Sequence, residues 1–306
     1  RLVIVADGAL HYLPFAALPD PASGDPLLIT HEVVHLPSAS VLAIQRRELQ
    51  DRTPAPAALA VLADPVFSPS DPRVGGGRGP SGPAQATGSV VGEEGGAHTK
   101  EPSRAGSGLA PEGVFDRLPA TRREAESIAA LASPAESLTA LDFQASRQTA
   151  LQGGLDRYRI VHFATHGVIQ AETPELSGLA LSMVDEAGRP ADGFLGLRDI
   201  YNLRLRAGLV VLSGCETALG REIRGEGLAG LARGFMYAGA ARVVASLWRV
   251  EDRATAELMT RFYQGLLVDR LPPAAALRRA QLAIRAERRW RDAYHWAPFV
   301  LMGDWN

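Results

Sequence analysis

Two residues of this chain could act together as a nucleophile and a base, its only cysteine, Cys215, and the earlier histidine His166. Cys215 follows the apolar run 210–212 and a Ser-Gly pair, and His166 follows the apolar run 159–165. An imidazole beside a thiol raises the thiolate fraction and can later protonate a leaving amine. The residue types therefore predict nucleophilic chemistry at Cys215 with His166 as the acid–base partner.

The two apolar runs are typical of buried β-strands that carry these side chains to their carboxyl ends. In open α/β sheets, sites form at that end of the strands. If the two strands are neighbours, about 4.8 Å apart, both side chains can face one cleft. Attack on a carbonyl also needs two N–H donors for the oxyanion, and the backbone N–H groups of Gly167 and Cys215 are the candidates.

The rest of the chain alternates strand-like and helix-like segments, which predicts a mostly parallel α/β sheet. Ser38 and Thr121 are expected to cap helices because each precedes an apolar-periodic segment, and residues 146–155 are predicted to form a short helix. Further helices are predicted at 225–239, 252–267 and 273–288. Other strands are predicted at 2–6, 32–36, 59–65, 138–141, 242–248 and 299–302.

Residues 68–113 differ in composition because Gly, Pro, Ser and Ala dominate them. Such a segment lacks the apolar surface needed to offset chain entropy, which predicts a disordered surface insertion. The alternative is a self-cleavage segment, whose candidate scissile residues are Arg73, Arg78, Lys100 and Arg104.

Composition narrows the function classes. The net charge of −2 predicts no nucleic-acid contact, and a single cysteine cannot form an intramolecular disulfide. That cysteine usage fits a reducing compartment, so we expect a cytoplasmic protein. No apolar run approaches the roughly 18 residues that a membrane helix needs. The chain begins inside a strand without Met, which predicts a missing N-terminal portion.

Metal binding by His162 and His166 is the rival interpretation of these histidines. On a strand the two lie about 13 Å apart at roughly 3.3 Å per residue. No Glu follows in the H-E-x-x-H pattern of a helical zinc site. We therefore predict neither a metal site nor a cofactor.

Seven segments resemble, in order, those of the CHAT domain, a bacterial peptidase family related to caspases and separases. The most specific are His162-Phe163-Ala164-Thr165-His166-Gly167 and Leu212-Ser213-Gly214-Cys215-Glu216-Thr217-Ala218. The others are 10–15, 118–125, 225–235, 245–252 and 296–304.

The resemblance implies a caspase-like α/β fold with a mostly parallel sheet flanked by helices. Residues 1–57 would form a smaller degenerate half, and residues 58–306 the catalytic domain with the insertion at 68–113. His166 and Cys215 match the family's dyad, which implies a cysteine endopeptidase acting on a protein substrate. N-terminal helical repeats of TPR type, and an activating partner in a bacterial defence or cell-death system, are implied as well.

Two other functions stay open. A latent CHAT module could serve as a regulated interaction scaffold, although both dyad residue types are present. A thiol redox or acyl-transfer enzyme fits the lone cysteine but lacks a resolving cysteine and a cofactor fingerprint.

Substrate preference is predicted from the residues after the strand at 242–248. Separases cut after Arg and have a Trp and an Asp similar to Trp248 and Asp252. We therefore expect Asp252 to accept a basic P1 side chain, with Trp248 and Glu216 as further candidates for the pocket. The alternative role of Asp252 is the N-cap of the following helix.

Overall fold

The computed structural model describes residues 1–75, 115–170, 173–214 and 227–305. Strands within these ranges are β1 (Leu2–Ile4), β2 (Val33–His35), β3 (Ala57–Ala63), β4 (Ser137–Leu141), β5 (Tyr158–Ala164), β6 (Gly167–Val168), β7 (Gly178–Ala180), β8 (Phe194–Gly196), β9 (Leu209–Leu212), β10 (Arg242–Ser246) and β11 (Phe299–Gly303). Helices are α1 (Ala39–Gln50), α2 (Pro119–Ala129), α3 (Arg147–Gln152), α4 (Leu197–Asn202), α5 (Gly227–Tyr237), α6 (Asp252–Tyr263), α7 (Pro273–Ala286) and α8 (Ala293–Trp296).

One of the two predicted helix caps is confirmed, and a third cap is found at Ser146. The Ser38 hydroxyl accepts a hydrogen bond from the N–H of Val41 at 3.0 Å, and Ser146 caps α3 in the same way. The predicted cap at Thr121 is wrong, because α2 begins at Pro119 and Thr121 lies inside it. Proline fits the first helical position since its fixed φ is already helical and its missing N–H needs no partner.

Eight strands form one sheet in the order β1-β2-β11-β10-β9-β5-β3-β4. All neighbouring pairs are parallel except β10 and β11, which confirms the predicted mostly parallel sheet. Strands β1 and β2 join this same sheet through the pairing of β2 with β11. The division of the chain at residue 57 stays a prediction.

Helices cover both faces of the sheet. Alternate residues of the central strands, such as Val61 and Val211, pack with α2, α6 and α7 on one face. Their neighbours, such as Leu62 and Val210, pack with α3, α4 and α5 on the other. Burial on both faces explains why these strands read as continuous apolar runs. The carboxyl ends of β3, β5, β9 and β10 therefore lie at one edge of a rigid three-layer structure.

Among the described residues, no helix has the length and apolar character needed to cross a membrane.

Candidate active site

The strands that precede the two candidate dyad residues are neighbours. Strands β5 and β9 are parallel, and their register pairs Phe163 with Leu212. Beyond the pairing, the chains stay in contact, since a Cβ atom built on Gly214 would lie only 2.5 Å from the carbonyl oxygen of Thr165. The dyad hypothesis requires the two strands to be neighbours, and this condition is met. Only glycine permits the close approach at position 214.

Cys215 and Glu216 themselves lie outside the described residues, as do Arg78, Lys100 and Arg104. Their proposed roles therefore stay predictions. Gly214 is the last described residue before the cysteine, and it contacts the residue that directly precedes His166.

His166 is buried, with a relative exposure of 2%, and two aromatic rings hold its imidazole. The ring centroids of Phe67 and Phe115 lie 5.2 and 5.3 Å from that of His166. The two phenylalanines also contact each other, with centroids 5.6 Å apart. This packing fixes the ring plane before any substrate binds.

A backbone carbonyl sets the tautomer of His166. Its Nε2 atom lies 2.7 Å from the carbonyl oxygen of Asp116. A carbonyl oxygen only accepts hydrogen bonds, so Nε2 must carry the hydrogen. In the neutral imidazole the lone pair is then on Nδ1, which is the atom able to take a proton.

The Asp116 carbonyl is held in place by the next residue. Arg117 forms a two-pronged ion pair with Asp64, with Nε–Oδ1 and Nη2–Oδ2 distances of 2.9 and 2.8 Å. Asp64 directly follows β3, the strand beside β5. Planar bidentate pairs of this kind fix orientation as well as distance.

Asp64 is the centre of a larger arginine cluster, which we define as Arg73, Arg117 and Arg122 with Asp64, Asp71 and Asp142. Within it, Arg122 and Arg73 also approach Oδ2 of Asp64, at 2.9 and 3.2 Å. The Asp64 side chain is completely buried. Its backbone φ of +49° lies in the left-handed region, which Asp and Asn tolerate better than most residues.

The outer carboxylates of the cluster are held ionised. Burial alone would raise the pKa of Asp142, but hydrogen bonds from Arg122 and Arg73 outweigh it and the net pKa is lowered. The hydrogen bond from Arg73 likewise lowers the pKa of Asp71. These attractions stabilise the fold above the unfolded pKa of about 4 and fade as the pH falls through the lower folded values.

Two expectations about the insertion are corrected here. Residues 68–75 are ordered, because Arg73 ties them to three carboxylates. The Arg73 side chain is only 15% exposed and is engaged in these pairs, so the structure does not present it as a scissile residue.

A narrow cleft lies at this edge of the sheet. Its volume is about 390 Å³ when the open solvent at its mouth is included, but only about 20 Å³ of it is accessible to the centre of a water-sized sphere. His166, Ser213 and Gly214 line one side, and Trp248 and Asp252 line another. The structure thus brings two predicted pocket residues, Trp248 and Asp252, into the same cleft as His166.

Trp248 is fixed from outside the cleft. Its Nε1 donates to the carbonyl of Tyr294 at 3.1 Å, and the two rings stack with centroids 6.4 Å apart. Asp252 is the first residue of α6, and Glu251 occupies the N-cap position without a capping hydrogen bond from its side chain. The alternative role of Asp252 as N-cap is therefore wrong.

A buried polar network lies beneath the cleft. Nδ1 of His162 is 3.0 Å from the Tyr263 hydroxyl, and its Nε2 is 3.2 Å from Oγ of Ser213 and 2.9 Å from Oε1 of Glu124. Burial, and then the charge of Glu124, raise the pKa of Tyr263 well above its usual value. Its hydroxyl therefore keeps its hydrogen throughout the physiological range.

The described residues contain no cluster of metal-ligating side chains. His162 and His166 have separate surroundings, the first in the buried network and the second between the two phenylalanines.

Known proteins are similar to this chain in sequence or in fold. The sequence matches the CHAT domain family over residues 1–304. The chain belongs to the CHAT domain family.

Tetratricopeptide repeat protein 28 of Mus musculus and of Homo sapiens are similar to this CHAT domain. They are 25% and 24% identical to it over alignments of 333 residues that cover 99% of the chain. The chain spans 12% of the length of these relatives.

Two structures of the Saccharomyces cerevisiae separase–securin complex are similar in fold to the CHAT domain. Their TM-scores are 0.51 and 0.52 at 12% and 11% identity, and they cover 96% and 98% of this chain and 15% of the other. At such identity the likeness shows the fold alone, which confirms the caspase-like α/β architecture implied by the sequence.

Sequence reasoning missed two groups of this candidate site. The first is the backbone carbonyl of Asp116, which a sequence cannot reveal because every residue has such a carbonyl. The second is Glu124, which the helix pattern of α2 could have revealed. It lies with Thr121, Ala125 and Ile128 on the buried stripe of that helix, where a charged side chain is unusual.

We expect Gly214→Ala to damage the site more than the fold. The new Cβ would meet the Thr165 carbonyl, and a misplacement of about 1 Å near the reacting groups costs about 100-fold in rate. Steady-state peptide hydrolysis and thermal melting measure the two effects. The matched control is Gly230→Ala in α5, where a Cβ meets nothing within 4 Å. Unchanged activity in Gly214→Ala would contradict the close packing of the two strand ends.

Proposed function

We propose that this CHAT domain is a cysteine endopeptidase with Cys215 as nucleophile and His166 as acid–base, cutting after a basic residue. The observation that carries the proposal is the contact between Thr165 and Gly214, the residues directly before His166 and Cys215. The register of β5 and β9 pairs Phe163 with Leu212, and each of these residues lies three positions before one of the proposed dyad residues.

The geometry of His166 supports the direction of proton transfer. With Nε2–H donated to the Asp116 carbonyl, Nδ1 takes the proton from the Cys215 thiol. The thiolate attacks the scissile carbonyl carbon, and Nδ1–H then protonates the leaving amine as the C–N bond breaks. Nδ1 next takes a proton from water as the water oxygen attacks the thioester carbon. The C–S bond breaks, and Nδ1–H returns the proton to sulfur.

Gly167 suits the proposed oxyanion role. The N–H of Ala180 donates to the carbonyl of His166 at 2.9 Å, so Gly167 and Leu179 form a non-hydrogen-bonded pair of β6 and β7. The Gly167 N–H therefore points away from β7. With the N–H of Cys215 it would stabilise the developing negative charge.

Asp252 and Trp248 are the proposed P1 pocket, with Glu216 as a further candidate. Both described residues line the cleft beside His166. A carboxylate there favours a cationic side chain through a charge-assisted hydrogen bond.

Peptide substrates that differ only at P1 test the activity and its specificity together. We expect release of a fluorophore from an Arg-ended peptide to be at least about 100-fold faster than from an Asp-ended one, since the opposite charge must approach a carboxylate. Cys215→Ala is the control, and it must abolish release. Faster release from the Asp peptide would end the basic-P1 assignment. If no peptide is cleaved, and the Cys215→Ala variant binds the same proteins as the unaltered chain, the latent scaffold is favoured.

We further propose that the domain works attached to tetratricopeptide repeats and is switched on by a protein partner in a defence or cell-death system. The tetratricopeptide repeat proteins that resemble this chain support the attachment to repeats. The securin-bound separase structures support control by a protein partner. The defence role and a cytoplasmic location rest on the family resemblance and the single cysteine. Co-expression with neighbouring gene products, followed by sequencing of new N-termini, tests this.

A further inference from the structure

We propose that Glu124 is a second carboxylate of the substrate pocket, so that a cationic P1 side chain, best a guanidinium, is held between Glu124 and Asp252. The proposal rests on the proposed peptidase function and deepens it. Both residues line the cleft that His166 borders, and they reach it from different helices, α2 and α6.

The burial of Glu124 is unusual for a carboxylate. Its relative exposure is 1%, and its Oε1 atom accepts no well-aligned hydrogen bond. The close approach of His162 Nε2 to this atom, at 2.9 Å, is a contact without hydrogen-bond alignment. Buried polar atoms nearly always have partners, so an unsatisfied carboxylate oxygen lining a cleft indicates a site for a donor from outside the chain.

The polar side chains beside Glu124 have partners of their own. The Tyr263 hydroxyl and Nδ1 of His162 are hydrogen-bond partners at 3.0 Å. Nε2 of the same ring has Oγ of Ser213 as a hydrogen-bond partner at 3.2 Å. Both ring nitrogens of His162 therefore have hydrogen-bond partners other than Glu124.

A comparison within the molecule separates a binding carboxylate from a structural one. Asp64 is equally buried, and three arginines neutralise it. Within the described part of the chain, Glu124 pairs with no arginine or lysine, and His162 is its ion-pair partner. Burying a carboxylate oxygen that accepts no hydrogen bond destabilises a protein, so such a group is expected where a ligand supplies the missing donor.

A guanidinium fits this arrangement better than an ammonium. Its planar fork presents five N–H donors, enough to bind two carboxylates that approach from different directions. Lysine offers a point charge that can satisfy one carboxylate well and the other less well. We therefore expect arginine over lysine, and both far above citrulline, the neutral isostere of arginine.

Ligand binding tests the pocket without requiring catalysis. In the Cys215→Ala background, fluorescence titration with 4-aminobenzamidine measures affinity for an amidinium, and benzamide is the neutral control. We expect Glu124→Gln to weaken the amidinium about 10-fold or more, the usual worth of a charge-assisted hydrogen bond. The matched control is Glu126→Gln, on the same helix but with a side chain 58% exposed. Equal affinity in the Glu124 and Glu126 variants would overturn the proposal.

Kinetics supply the second measurement. In active protein, Glu124→Gln should lower the ratio of kcat/KM for arginyl over citrullyl peptides about 10-fold or more by the same reasoning. If Glu124→Gln does not fold, the double variant Asp252→Asn/Glu216→Gln, which removes the other two candidate carboxylates, still decides the matter. A remaining preference for arginine of about 10-fold supports a second carboxylate, and complete loss of the preference overturns it. Glu124-dependent amidinium binding without any peptide cleavage would reject the peptidase but keep the pocket.

Discussion

His166→Ala is expected to lower kcat/KM on an arginyl peptide by about 10²- to 10⁴-fold, the range of a lost general acid–base. The reason is that Nδ1 must first accept the thiol proton and then deliver it to the leaving amine. The Asp116 carbonyl fixes the tautomer that permits this, and Phe67 and Phe115 fix the ring plane. Steady-state kinetics with the arginyl peptide measures the loss.

The single cysteine provides a check that needs no substrate. Since Cys215 is the only thiol, its alkylation by iodoacetamide reports the thiolate fraction of this residue alone. The rate should fall in His166→Ala at neutral pH and recover at a pH above about 8.5, the ordinary thiol pKa. The matched control is His31→Ala, a histidine hydrogen-bonded to the neighbouring Thr30 at the surface. An alkylation rate that His166→Ala leaves unchanged would contradict the dyad.

The sequence predicts those parts of the fold that local patterns determine. The continuous apolar runs of β3, β5, β9 and β10 are buried on both faces, so their assignment follows from composition alone. Ser38 and Ser146 act through the N–H three residues later, which is also a local effect. Adjacency of β5 and β9 was only a condition of the dyad hypothesis, because no local pattern sets strand order.

Contacts between distant segments explain what the sequence did not reveal. Arg117 and Asp64 are far apart in the chain, and nothing in either neighbourhood indicates their bidentate pair. Thr121 resembled a cap because it precedes a periodic segment, but Pro119 starts the helix earlier. The position of Glu124 in the site becomes apparent only in the folded structure, where α2 packs beside β5 and brings Glu124 to His162.

The arginine cluster connects stability with the site. It joins the end of β3 to the segment that carries Phe115 and the Asp116 carbonyl, the two groups that position His166. Any substitution that loosens the cluster should therefore affect both unfolding and catalysis. Asp64 is the best place to test this, because all three arginines converge on it.

Asp64→Asn is expected to lower the free energy of unfolding by about 3 kcal/mol, near the lower end for breaking a buried ion pair because the arginines are partly exposed. Asparagine keeps the shape and tolerates the positive φ, so the loss reports the charge rather than backbone strain. Urea unfolding at pH 7 measures it. Asp192→Asn, whose side chain is 74% exposed beside Arg147, should leave the midpoint unchanged. Equal midpoints for the two variants would show that the three arginines do not stabilise the fold through Asp64, and the link from Arg117 to His166 would lose its basis.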